Sequence, residues 1–120
     1  MSERIVIAEK FAGFHDIASP KIVAELNGQH VKLVRFRGTF VWHRHEQEDE
    51  LFWVLEGRLR IDFRDREVWL GPGEMLVVPR GVEHRPHADD EVKLVLFEPA
   101  TTLNTGDVRD ARTIDAPERI

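Results

Sequence analysis

Short apolar runs with a period of two, broken every few residues by Gly, Pro or Asn-Gly, dominate this chain from Lys21 onward. That rhythm constrains the fold more than any other feature. Alternate residues of a strand face opposite sides of a sheet, whereas a helix needs a period near 3.6. Lys21 to Leu26 and Gln29 to Arg37 flank Asn27-Gly28, a dipeptide that favours the positive φ angles of a two-residue hairpin turn. Thr39 to His45 follows Gly38, Leu51 to Glu56 and Arg58 to Phe63 lie either side of Gly57, and Arg66 to Leu70 follows an Arg64-Asp65 turn. After Gly71-Pro72-Gly73 come Glu74 to Val78, Glu83 to His87 and Glu91 to Phe97. About eight or nine short strands at this spacing predict an antiparallel sandwich or barrel.

Before the first strand, Ala8, Phe11, Ala12 and His15 recur at helical spacing, and Ser19-Pro20 forbids the continuation of that helix. Beyond Pro99 the chain turns Thr-, Asp- and Arg-rich and is expected to lie extended on the barrel or to fray. The 120 residues are expected to form one domain, with an N-terminal arm over 1–20, a barrel core over about 21–98 and a tail over 99–120. The absence of cysteine excludes disulfide scaffolds, thiol catalysis, iron–sulfur clusters and thiolate zinc sites. A net charge of −5 argues against a nucleic-acid or anionic-membrane partner. Apolar stretches such as Leu94 to Phe97 are far shorter than the ~18 residues that span a bilayer. The opening Met1-Ser2-Glu3-Arg4 lacks the apolar run of an export signal, so a cytoplasmic location is expected.

Alternation assigns faces. If Glu50, Phe52 and Val54 point one way, Leu51, Trp53 and Leu55 point the other, and Phe40 and Trp42 lie opposite Val41 and His43. The outward Phe40, Trp42, Trp53 and Leu55 then need a cover, either the N-terminal segment or a second subunit. A homodimer is expected on this ground.

Histidine carries the chemistry. His43 and His45 lie two residues apart on an expected strand, so both imidazoles leave one face about 6.6–6.8 Å apart along the backbone. Side chains of that reach can converge on one ion at ~2.0–2.1 Å from each nitrogen. Glu50 opens the next strand after a turn, and His84 follows the Pro79-Arg80-Gly81 turn that returns the chain to the barrel. Three imidazoles and one carboxylate suit a divalent transition metal: manganese, iron, nickel, copper or zinc. Four protein ligands leave open positions on an octahedral ion. Of the neighbours, Glu46, Glu48 and Asp49 read as a solvated turn, with Glu48 the substitute ligand if the register shifts by two. His87 falls outside the shell, and His15 and His30 are surface or structural.

These residues resemble the two motifs of the cupin family. The first reads Gly38-Thr-Phe-Val-Trp-His43-Arg-His45-Glu-Gln-Glu-Asp-Glu50-Leu-Phe-Trp-Val-Leu-Glu-Gly57. The second reads Gly73-Glu-Met-Leu-Val-Val-Pro79-Arg-Gly81-Val-Glu-His84-Arg-Pro-His-Ala88. The gap from Gly38 to His43 is four residues where five is usual, and Ala88 stands where the family has Asn; neither position ligates metal. The resemblance implies an all-β double-stranded β-helix (jelly-roll) barrel with a short N-terminal helical or extended arm. It also implies an interior metal held by His43, His45, Glu50 and His84. A metal-dependent enzyme of oxidoreductase or dioxygenase type, acting on a small oxygen-rich molecule, is the leading expectation. A metal- or ligand-binding module without turnover is the alternative, and a sugar isomerase or lyase a further one.

Overall fold

A computed structural model describes residues 2–120. In chain order the elements are α1 (Ile7–Ala12), β1 (Lys21–Leu26), β2 (Gln29–Thr39), β3 (Glu50–Glu56), β4 (Leu59–Phe63), β5 (Glu67–Leu70), β6 (Met75–Val78), β7 (His84–Pro99) and β8 (Glu118–Arg119). The all-β barrel expected from the sequence is present. Its strands follow the order β5-β4-β7-β2-β1-β8, with β3 pairing both β7 and β6.

The hairpin at Asn27-Gly28 forms as expected, with φ of 50° and 73° at the two turn residues and Leu26 opposite Gln29. The two runs read as separate strands at Glu83–His87 and Glu91–Phe97 are one strand, β7, 16 residues long. Its first residues pair with β4 (Phe63 with His84, Arg60 with His87), and its last pair with β3 (Glu56 with Lys93, Leu51 with Phe97). Between them β2 pairs Phe36 with Val92 and then Gly38 with Ala88, so Asp89, Asp90 and Glu91 bulge out as a corner. Gly57 fits beneath that corner at φ 86°, where a Cβ would lie 2.9 Å from the Glu91 carbonyl oxygen. A bulged strand can serve two faces of a barrel in this way.

Alternation fills the interior. Val34 and Phe36, Phe52 and Val54, Leu59, Ile61 and Phe63, and Val92, Leu94 and Leu96 form one buried cluster. A second cluster covers the outer face, where Phe11 and Phe14 pack on Leu33 and Val95, with Leu55 against them. Six residues of helix are too few to persist alone. Arg35 fastens this one: Nη2 donates to the Phe11 carbonyl at 2.7 Å and Nε to the Phe14 carbonyl at 2.9 Å. Ala8, Ala12 and His15 of the expected apolar stripe are exposed, and Phe14, outside that stripe, is buried in their place.

The tail does not fray. It runs through turns that bury Thr105, and Ile120 N–H donates to the Ile22 carbonyl at 3.0 Å, beside the parallel pairing of β8 with β1. Among the described residues no helix is long and apolar enough to cross a membrane.

Candidate metal centre

The expected strand Thr39 to His45 ends at Thr39. The following residues form an irregular segment with a single bridge, His43 to His84. Two backbone hydrogen bonds make it, His43 N–H to the His84 carbonyl at 3.1 Å and His84 N–H to the His43 carbonyl at 2.9 Å. Gly81 N–H donates to the His45 carbonyl at 2.8 Å and fixes the second imidazole beside the turn that precedes His84. Glu50 is the first residue of β3 and faces inward with Phe52 and Val54.

These placements bring the four sequence-predicted residues together. One nitrogen or oxygen from each of His43, His45, Glu50 and His84 lies within 4.8 Å of all the others, and all four residues are buried. The His43 and His84 rings each hold their Nδ1 against a backbone carbonyl, that of Val41 at 2.8 Å and that of Val82 at 2.9 Å. Each carbonyl accepts a hydrogen bond from Nδ1–H, which leaves both Nε2 atoms with free lone pairs. Glu50 Oε1 is 3.2 Å from His84 Nε2 and 3.2 Å from His45 Nε2. Neither ring nitrogen of His45 makes a hydrogen bond, although the side chain is buried. Buried polar atoms are normally satisfied, and a cation coordinated at this position would satisfy one of the two His45 nitrogens. The donor set thus fits a divalent transition metal.

Electrostatics follow from burial and from Glu50. Burial, with His84 alongside, pushes His43 down to about 4. Burial opposes protonation of His45 as well, but the Glu50 carboxylate outweighs it and moves His45 above its ordinary value. Burial alone would raise Glu50; His45 and His84 overcome it and hold this carboxyl well below the usual range.

Sequence reasoning missed two neighbours. Lys32 and Glu98 are buried on β2 and β7, with Lys32 Nζ 2.9 Å from Glu98 Oε1. Glu98 faces Glu50 across the β3–β7 pairing, and burial together with the Glu50 charge raises its carboxyl well above the ordinary value. The signal was present: Lys32 interrupts the inward series with Val34 and Phe36, and Glu98 the one with Leu94 and Leu96.

The other expectations sort clearly. Glu48 stays outside the cluster and accepts from Thr101 Oγ1 at 2.8 Å, while Asp49 accepts from Arg80 N–H at 2.8 Å and Glu46 pairs with Arg44. His87 bonds Thr39 and Asp89, away from the centre. Phe40 corrects the outward assignment: with the strand broken it turns inward, its ring 5.5 Å from that of His43. Trp42 is covered by the guanidinium groups of Arg64 and Arg85, 3.8 and 4.9 Å from its ring. Leu55 lies under the N-terminal arm. Only Trp53, at 37% exposure, remains of the four that needed a cover.

Beside His43 and Glu50 the barrel holds a cavity of about 50 Å³, walled largely by Val34, Phe36, Phe40, Phe52, Leu94 and Leu96. The N-terminal arm contributes Ala18 and Pro20 to its lining, and the tail contributes Asn104. Geometry and chemistry together define a class: a jelly-roll barrel that buries three imidazoles and a carboxylate in one cluster, with His43 and Glu50 lining a small apolar cavity and His45 lining a more polar cavity of about 230 Å³ with Gln47, Glu48 and Thr101.

The chain belongs to the cupin family, whose sequence model, described as Cupin domain, matches residues 31–99. A crystallised protein from Shewanella frigidimarina NCIMB 400 that contains a cupin-2 domain is 47% identical, with a TM-score of 0.78 over 79% of this chain and 93% of that one. Protein NMB1881 from Neisseria meningitidis is 32% identical, with a TM-score of 0.75 over 82% of this chain and all of that one (100%). The uncharacterized protein YdbB of Bacillus subtilis (strain 168) is 41% identical over 80 residues, a match covering 66% of this chain and 65% of that protein.

Proposed function

We propose that this cupin binds one divalent transition metal through His43, His45, Glu50 and His84 and acts as a metal-dependent enzyme of oxidoreductase type on a small oxygen-donor molecule. The observation that carries the reading is the buried convergence of four ligand atoms within 4.8 Å around an imidazole with no hydrogen bond of its own. A bound ion would supply Lewis acidity and, if redox-active, electron transfer. The chain's own groups supply the rest. The Val41 and Val82 carbonyls fix the tautomers of His43 and His84, and Glu50 supplies the one anionic donor. On the side of His43 and Glu50 the cavity wall is largely apolar.

A binding module without turnover is the second reading, favoured by one observation: the polar side chains of the cavity beside His43 are His43, Glu50 and Asn104, which leaves no acid or base in that wall apart from two candidate ligands. We further propose a homodimer through the outer face of β3 and β6, where Trp53, Met75 and Val77 are exposed at 37%, 53% and 53%. Metal titration tests the central reading. Wild type is expected to bind one equivalent, and His84→Ala to bind at least 100-fold more weakly. Equal affinity of the two would contradict it.

A further inference from the structure

We infer that the part of the ligand that enters the cavity beside His43 and Glu50 is a compact apolar body of about three or four carbons behind its oxygen donor, and is not a polyol chain. The inference rests on the metal-binding reading above and deepens it. Three observations on the cavity support it.

The first is composition. The wall comes from β2, the irregular segment after it, β3 and β7, and each contributes apolar surface: Val34 and Phe36, Phe40, Phe52, Leu94 and Leu96. The second is that its few polar side chains are already engaged. His43 directs Nδ1 to the Val41 carbonyl, and Glu50 lies between His45 and His84. Asn104 donates from Nδ2 to the Arg112 carbonyl at 2.8 Å and accepts from Ile114 N–H at 2.9 Å. Lys32 and Glu98 do not line the cavity and are paired with each other. Among the described residues, then, no side chain of the wall is free to receive a row of hydroxyls, and each hydroxyl buried without a partner would weaken binding roughly tenfold. The third is size. About 50 Å³ is well below the roughly 150 Å³ of a cavity that accepts benzene. A branched aliphatic group matches this space better than an aromatic ring.

The test uses three hydroxamates that share one chelating head. Isobutyrohydroxamate carries a branched apolar body, acetohydroxamate almost none, and 2,3-dihydroxypropanohydroxamate a polyol. Each is titrated calorimetrically into protein loaded with Ni(II), its metal content measured first. Isobutyrohydroxamate is expected to bind about tenfold more tightly than acetohydroxamate, and the dihydroxy compound more weakly than either. Equal affinities, or tightest binding of the dihydroxy compound, would overturn the inference while leaving the metal reading intact. Val34→Thr keeps the cavity's shape and adds a hydroxyl to its wall. At unchanged metal content it should narrow the preference at least threefold, and an unmoved preference counts against the inference. If the protein takes up no metal, the metal reading fails separately. The cavity is then tested in metal-free protein with isobutyramide and glyceramide. Shifts of the Leu94 and Leu96 methyl resonances with isobutyramide alone support an apolar-body site, and shifts with glyceramide alone, with both compounds or with neither overturn it.

Discussion

His43 and His45 stand two residues apart in one buried cluster, and their surroundings push them in opposite directions. Burial lowers His43 to about 4, whereas the Glu50 carboxylate, against the effect of burial, raises His45. In metal-free protein the His43 ring should stay neutral to about pH 4 while His45 titrates above the ordinary imidazole value, as read from ring-proton resonances. His43 taking a proton near pH 6.5 would contradict this. The sign for stability follows. The unfolded chain binds a proton at His43 that the folded chain refuses, so this contribution is complete above about pH 6.5 and falls by on the order of 3 kcal/mol as the pH drops to about 4. His45 has the opposite sign: its contribution is present below the ordinary value and lost as pH rises through the raised one. At this scale the four candidate ligands were legible because their residue types and spacing are local. Lys32 and Glu98 are legible singly, as breaks in inward apolar series, but not as a pair, because 66 residues separate them along the chain.

Elements position these residues, and the tail does more of that work than its composition suggested. Gly106 packs on the backbone of the irregular segment: a Cβ there would overlap the Arg44 carbonyl and come within 3.1 Å of His43 Cδ2. Asp107 closes the contact, its N–H donating to the Arg44 carbonyl at 3.0 Å and its Oδ1 accepting from Arg44 N–H at 2.9 Å. Gly106→Ala would force the tail off His43, and φ of 57° adds strain of its own. The variant should lose on the order of 2 kcal/mol in a urea titration and bind metal at least tenfold more weakly. Wild-type metal affinity would show that the tail does not support the centre. Period-two runs identified β1 and β3 to β6 within a residue, ended β2 two residues early and split β7 in two at its corner; alternation is set by the same burial that stabilises the strands. The segment 40–45 defeated that reading, because apolar Phe40 and Trp42 imitate a strand while turning individually, Phe40 toward the cavity and Trp42 under arginines. The tail's fold was hidden because its anchors reach backbone groups remote in sequence, Asp107 those of Arg44 and Ile120 that of Ile22, which no side-chain periodicity reports.

For the whole molecule, the jelly-roll topology encloses the apolar interior and leaves an apolar strip exposed on β3 and β6. Of the four outward residues expected to need a partner, the chain itself covers Phe40, Trp42 and Leu55, so the proposed dimer rests on Trp53 with Met75 and Val77. Sedimentation at micromolar concentration should give a dimer for wild type and a monomer for Trp53→Glu. A wild-type monomer would remove the dimer without touching the metal centre. That centre is the core of the account, and anomalous diffraction at the absorption edge of the bound metal tests it most directly. One ion is predicted about 2.0–2.1 Å from imidazole nitrogens of His43, His45 and His84, and bonded to a Glu50 oxygen. An ion bound elsewhere, or metal-treated crystals with no anomalous peak among these four side chains, would contradict it.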